Sequence, residues 1–200
     1  MNAGVTSERV YDALKARLLG GEVPPGERLE PKKLAALLTS SVSPIRDALH
    51  RLAGEHIVEM RTSEGFQLPL VTEPALRELI QWNGELLRIA LRRWPVTPSQ
   101  LIELPLTEDY AACLRTLFGL IAARSGRAEI ARQVEAASDR LTASRIAESK
   151  ILSDPRGDLA DIAAVIETGD PRSIARHIAV YHRQRMALVP PIVEAIYRRG

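Results

Sequence analysis

Residues 31–54, PKKLAALLTSSVSPIRDALHRLAG, constrain this chain more than any other stretch. They read as a short helix, a polar break and a second helix with two unlike faces. Ile45, Ala48, Leu49 and Leu52 fall at i, i+3, i+4 and i+7, so they share one apolar stripe, while Ser43, Arg46, Asp47 and His50 fall opposite. The first helix offers Leu34, Leu37 and Leu38 to the same core, with Pro31 suited to a first helical position. Ser41 or Ser43 can cap the second helix by accepting from its free amides. Two such helices, three or four residues apart, have the outline of a helix-turn-helix. An ordinary helical hairpin with a merely wet outer face fits this segment equally well.

The flanks separate the two readings. Upstream, Val10, Leu14 and Leu18 lie on one helical face, and the helix ends at Gly20-Gly21, followed by the turn GEVPPGERL. Downstream, IVEMRTSEGFQLPLV reads as two short strands around Ser63-Glu64-Gly65, a β-wing. The first 72 residues are therefore a winged helix-turn-helix of three helices and a hairpin. Val71-Thr72-Glu73-Pro74 reads as a linker, because Pro blocks strand continuation. Residues 73–200 read as an all-α antiparallel bundle, with helices over 75–94, 108–125, 127–149, 157–168 and 171–187 and a short one after Pro190-Pro191. In Thr168-Gly169-Asp170-Pro171, Gly can end one helix, Asp cap the next and Pro start it. The stretch from Trp94 to Thr107 carries three prolines and reads as a connection with at most one helical turn.

The words LLGGEVPPGERL, KKLAALL, VSPIRDALHRL and the wing at Gly65, over about residues 7–70, resemble the GntR transcriptional regulators in order and spacing. The resemblance implies that the second motif helix enters the major groove of double-stranded DNA and the wing the adjacent minor groove. Carried over residue by residue, it implies DNA contacts from Lys32, Lys33, Ser41, Ser43, Pro44, Arg46, His50, Arg51 and Gly65. Lys32 or Lys33 would meet phosphate at a helix amino terminus, and Arg46 would read a base edge bidentately. For each, the plain alternative is a solvated residue on a surface helix. Three departures stand out. Val42 occupies a place where the family usually has Arg, Ser63-Glu64 replace a basic approach to the wing Gly, and His56 replaces a Gly after the recognition helix. The fold should survive all three, while DNA affinity should fall by roughly a few kcal/mol.

Charge points the same way. Residues 1–72 hold nine Lys or Arg and nine Asp or Glu, so the reader is formally neutral and should bind DNA weakly unless dimerisation doubles its contacts. With 4% aromatic residues the chain lacks a stacking platform for single strands. No run of about 18 apolar residues occurs and no signal segment opens the sequence, so no membrane association and a cytoplasmic location are expected. Cys113 is alone, which excludes an intramolecular disulfide framework.

A reader of this kind followed by a helical bundle resembles the FCD (FadR-like) subfamily, most clearly through LFGLIAARSGRAEI and VIETGDPRSIARHIAVYH. The resemblance implies a dimerising, effector-sensing bundle, in many members built round a divalent metal held by one Asp and three His. Here the corresponding positions are Leu114, Phe118 and Leu159, and only His182 falls on a ligand position, so no metal and no cofactor are expected. His177 and His182 lie five apart and cannot share one helical face. The exchange to Leu and Phe predicts an apolar pocket, filled by its own side chains or open to an apolar effector or a small organic acid. Arg115, Phe118, Arg145 and His182 are its candidate lining.

No Gly-rich phosphate loop, nucleophile elbow, CxxC pair or HExxH occurs, so an enzyme is not expected. The leading expectation is a homodimeric DNA-binding transcriptional regulator acting on a near-palindromic operator, with an effector favouring one placement of its readers. The competing expectation is a helical dimerisation or ligand-sensing protein with weakened or lost DNA binding.

Overall fold

The computed structural model describes residues 3–61, 65–94 and 109–198. The chain divides into two compact units, Met1–Val71 and Thr72–Gly200.

In the first unit, α1 (Ala3–Leu19) buries Val10, Tyr11, Leu14 and Leu18 at helical spacing. The short α2 (Pro31–Leu37) starts on Pro31 and buries Leu34 and Ala35. The next helix, α3 (Val42–Gly54), buries the stripe Ile45, Ala48, Leu49 and Leu52 against α1 and α2. Each fully buried Leu or Ile there contributes on the order of 2 kcal/mol. The wing is a three-stranded antiparallel sheet in the order β1-β3-β2, made by β1 (Arg28–Leu29), β2 (Glu59–Arg61) and β3 (Gly65–Gln67). Leu29 and Met60 flank Phe66 in register, and Arg61 faces Gly65. The sequence predicts two strands, and the third comes from the Pro-Gly turn. Gly26 N–H donates to the Leu68 carbonyl and Leu68 N–H to that of Glu27, at 2.9 and 3.0 Å. A two-residue strand shows no alternation, and its partner lies about forty residues on, so periodicity could not reveal it. Ser63 and Glu64, the expected wing tip, lie outside the described residues. Gly65 has φ +78°, which suits glycine, whereas His56 adopts φ +58° with a full side chain.

The second unit is helical: α4 (Glu73–Leu91), α5 (Tyr110–Arg124), α6 (Ala128–Arg140), α7 (Thr142–Ile151), α8 (Pro155–Glu167), α9 (Pro171–Ala187) and α10 (Val189–Tyr197). Side-chain oxygens cap four of them: Thr72 accepts from Ala75 N–H, Asp109 from Ala112, Asp154 from Gly157, and Asp170 from Arg172 and Ser173. The central helix α5 packs on α4, α6, α7 and α8, and buries Leu114, Leu117, Phe118 and Ile121 completely. The expected single helix over 127–149 is corrected to two, with the break at Leu141. Hydroxyls bonded back onto the chain surround that break, Thr142 Oγ1 to the Ser138 carbonyl at 3.2 Å and Ser144 Oγ to that of Leu141 at 2.7 Å. Pro190 and Pro191 fall inside the first turn of α10 rather than before it. The expected connection over 94–107 lies, after the buried Trp94, outside the described residues. No helix among the described residues is long and apolar enough to cross a membrane.

Candidate nucleic-acid interface and buried polar cluster

Because the α3 stripe is consumed by the core, Ser43, Arg46, Asp47, His50 and Arg51 are left on the outside. Arg46 is exposed, with no hydrogen-bond or ion-pair partner among the described residues. Ser41 occupies the cap position of α3, yet its side chain makes no cap bond, so its hydroxyl and the first amides of the helix are open together. Pro44 is half-buried in the first turn. Lys32 is exposed at the start of α2, beside Lys33, which reaches Glu30 at 2.7 Å. That contact holds the Glu30 carboxyl below its ordinary range. His50 sets its ring edge-on to Phe66 of the wing, with centroids 5.0 Å apart. Gly65 is exposed where β3 begins.

Arg51 is engaged elsewhere. Its guanidinium lies 2.8 Å from Glu8 and 3.8 Å over the ring of Tyr11, joining α3 to α1. Beside it, Lys15 reaches Glu55 at 2.8 Å, and the Tyr11 hydroxyl donates to the same carboxylate. Burial works to raise Glu55, but hydrogen bonds from Lys15 and Tyr11 hold it below the usual carboxylate range. This clasp went unread in the sequence, although Glu8, Tyr11 and Lys15 recur at i, i+3 and i+7 on one side of α1. Of nine Lys and Arg in the reader, Arg9, Arg28, Lys32 and Arg46 have no carboxylate within ion-pair distance among the described residues.

Inside the second unit, a cavity of about 10 Å³ is lined by Asn83 of α4, Ser144, Arg145 and Glu148 of α7, Tyr181, His182 and Arg185 of α9, and three aliphatic residues. Its lining carries more charge than the exchange to Leu114 and Phe118 implies. Leu114 and Phe118 are wholly buried in the core, while α7 and α9 supply charge. Phe118 does meet two of the other candidates: Arg145 lies 5.2 Å over its ring, and His182 stacks on it at 5.9 Å. Arg115 is placed apart, partly exposed and paired with Glu135 at 2.8 Å and Asp139 at 3.1 Å.

Two arginines in this lining differ in their partners. Arg185 reaches Glu148 at 2.7 Å and the Tyr110 hydroxyl at 2.8 Å, and it also pairs with Asp158. Burial opposes its charge, yet Glu148 and its neighbours hold the guanidinium above its ordinary pKa. Desolvation likewise drives Tyr110 and Tyr181 far upward, so both stay neutral. Arg145 is 2% exposed, and neither of its terminal nitrogens has a hydrogen-bond partner among the described residues. The signal for this cluster was present in the sequence, since Leu141, Arg145 and Glu148 share one helical stripe and Ile174, Ile178, Tyr181 and Arg185 another.

Burial, aided by the charges of Arg145 and Arg185, pushes His182 down to about 4, so the ring is neutral near pH 7. Its Nδ1 lies 2.8 Å from the Ile178 carbonyl and its Nε2 3.1 Å from Asn83 Oδ1. A neutral ring has one N–H for these two oxygens. A half-turn of the Asn83 amide removes the mismatch, because its nitrogen otherwise has no partner. A Cβ on Gly84 would meet the His182 ring at 3.1 Å, so this glycine makes room for the imidazole. His182 also lines an outer groove of about 300 Å³ between α4 and α9. With Leu114, Phe118 and Leu159 at the positions where a metal-binding bundle would carry ligands, and His182 bonded to protein on both sides, these residues do not fit a metal. Among the described residues no three His, Cys, Asp or Glu side chains are grouped to hold one.

A family model for bacterial regulatory proteins of the gntR family matches residues 6–68. The HTH-type transcriptional regulator McbR of Escherichia coli (strain K12) is 36% identical over 98 residues, 48% of this chain and 44% of that regulator. The match thus spans less than half the length of that relative. Among solved structures, E. coli McbR/YncC superposes with a TM-score of 0.67 at 20% identity, covering 92% of this chain and 96% of that one. A GntR protein from Rhodococcus sp. RHA1 gives 0.72 at 14% identity, covering 93% and 98%. At those identities the likeness is one of fold, and it extends through the helical unit.

Proposed function

We propose, from the match of residues 6–68 to the gntR family of bacterial regulatory proteins, that this chain is a cytoplasmic, homodimeric transcriptional regulator. Two α3 helices related by a two-fold axis would engage a near-palindromic operator in successive major grooves. The observation that carries this reading is Arg46, which stands on the exposed side of α3 with no hydrogen-bond or ion-pair partner among the described residues. Ser41 and Lys32 support it, leaving a hydroxyl and an ammonium open at two helix starts. Backbone amides and a helix dipole at such starts favour phosphate, whereas the guanidinium fork matches guanine O6 and N7. The helical unit senses an effector through its polar cavity and acts as no enzyme.

The reading of a sensor with lost DNA binding is favoured by one observation, the internal use of cations. Lys15, Arg17, Lys33, Arg51 and Arg61 all face carboxylates of their own domain. Selecting bound fragments of the source genome at modest ionic strength decides between the two. Enrichment of one near-palindromic motif is expected, lost in the Arg46→Ala variant. No enriched motif in dilute buffer would leave the sensor reading standing instead.

A further inference from the structure

We propose that His50 makes a proton-linked contact with a backbone phosphate of duplex DNA, so that the reader binds more tightly as pH falls from about 8 to about 6. The proposal rests on the reading of α3 as a DNA-binding helix and adds the chemistry of one contact to it. Three observations carry it. His50 is exposed one turn beyond Arg46, on the same side of α3. Its ring stands edge-on to Phe66 of β3, with centroids 5.0 Å apart, so the sheet holds its direction. Neither ring nitrogen has a hydrogen-bond partner among the described residues, so the stack fixes the ring and leaves its polar atoms open. A side chain already held in place loses less rotamer freedom on binding than a solvated Lys or Arg does.

Position selects phosphate over a base edge. A recognition helix in a major groove presents its first turns to the bases. His50 lies about 6 Å further along the axis than Arg46 and leans on the sheet at the side of the helix. The groove is about 12 Å wide, so a group at that side meets its phosphate wall. Of the three basic residues on α3, Arg51 is held by Glu8 and Tyr11, and Arg46 stands at the end that meets the bases. His50 is the third, and a protonated imidazole offers both its nitrogens as donors to a phosphate oxygen.

The charges around the ring leave its proton to the DNA. On α3 they are Arg46 and Asp47, both exposed. On β2, Glu59 is engaged by Gln67 at 3.1 Å and by Arg61 at 3.6 Å, and β3 offers the uncharged Gly65, Phe66 and Gln67. Arg28 of β1 is exposed. From α1, Glu8 and Lys15 are turned to Arg51 and Glu55, and on α2 Lys33 is turned to Glu30 with Lys32 exposed beside it. None of these groups bonds the imidazole, so the negative potential of an approaching duplex is what draws a proton onto it.

The test is fluorescence anisotropy of the full chain with a labelled duplex of mixed sequence, about three helical turns long, in dilute buffer across that pH range. A phosphate contact needs no operator. Affinity should rise about tenfold per reader towards the acid end, and the slope of log affinity against log salt should steepen by about 0.9. Both changes should vanish in His50→Gln. In His50→Arg the steeper salt slope should persist at the alkaline end, and His56→Asn should keep the pH dependence. Should His50→Gln fail to fold, NMR of the unaltered protein decides, since the His50 ring should titrate at higher pH with duplex than without. A flat profile, a rise that survives in His50→Gln, an unchanged salt slope or a ring titration unmoved by duplex would overturn the contact. Fragment selection separates this claim from the regulator reading. Acid tightening through His50 with no enriched motif removes the regulator and keeps the contact, and an enriched motif bound alike at both ends of the range does the reverse. Absence of any duplex binding at the acid end overturns both.

Discussion

Among the described residues neither the Arg46 guanidinium nor the terminal nitrogens of Arg145 have a hydrogen-bond partner, and the two positions give that fact opposite meanings. On the open side of α3, water solvates the guanidinium, so the missing partner costs nothing and leaves the group ready for a base edge. Inside the helical unit Arg145 is 2% exposed, and desolvating such a charge costs on the order of several kcal/mol. Between them stand Arg51 and Arg185, each held by its own protein, one at an exposed clasp and one in the interior. An unpaired charge is informative in proportion to how little water reaches it, and its usefulness to a ligand depends on what else is bonded nearby.

The sharpest break in this comparison is at the satisfied interior pair. Glu148→Ala should destabilise the helical unit by about 3–5 kcal/mol in urea denaturation, because Arg185 is left buried with Asp158, itself partly exposed, as its remaining carboxylate. A loss below 1 kcal/mol would show that water reaches the cluster freely, and would void the contrast. Acid should bring out the same cost through His182. Its folded pKa, about 4, lies below the unfolded value near 6.5. The associated stability is complete above pH 6.5 and is lost as pH falls towards 4. The change is about 3 kcal/mol, visible as a steep slope of unfolding free energy over that window and flattened in His182→Gln.

At the exposed end, Arg46→Ala should weaken specific DNA binding by about 1–3 kcal/mol while changing folding stability by under about 0.5 kcal/mol. Fluorescence anisotropy and denaturation on one preparation check both halves. The smallest effect concerns His56, held at φ +58°. Replacing it with Gly should raise the reader's stability by about 0.5–1 kcal/mol, read as a higher urea midpoint, since a left-handed backbone strains a β-carbon. An unchanged or lower midpoint would mean that the imidazole makes up for its own strain.

The reader was legible because its design is local. The stripe on α3, the Pro-Pro-Gly turn and the wing Gly each announce themselves within a few residues, and the structure places them accordingly. Arg51 was less so: its sequence position implies DNA, and only the meeting of α1 with α3 shows it clasped to Glu8 and Tyr11. In the bundle, helices and caps such as Asp170 followed from pattern, yet the cavity did not. Its lining comes from residues 80 to 192, brought together from four helices. The exchange of ligand positions to Leu114 and Phe118 predicts a pocket either filled by its own side chains or apolar; both residues are wholly buried in the core, and the charged lining beside them comes from α7 and α9.

Sequence alone determined most of the helical pattern, which face of α3 is dry, and that the first 70 residues carry a winged helix-turn-helix. Those features follow from periodicity and from terminal residues that satisfy the nearest amides, interactions a few positions long. Tertiary structure decided which arginine is paired, which is solvated and which is stranded. The strength of a charge depends on the distance and water content of its surroundings, and those are set by chain segments far apart in sequence.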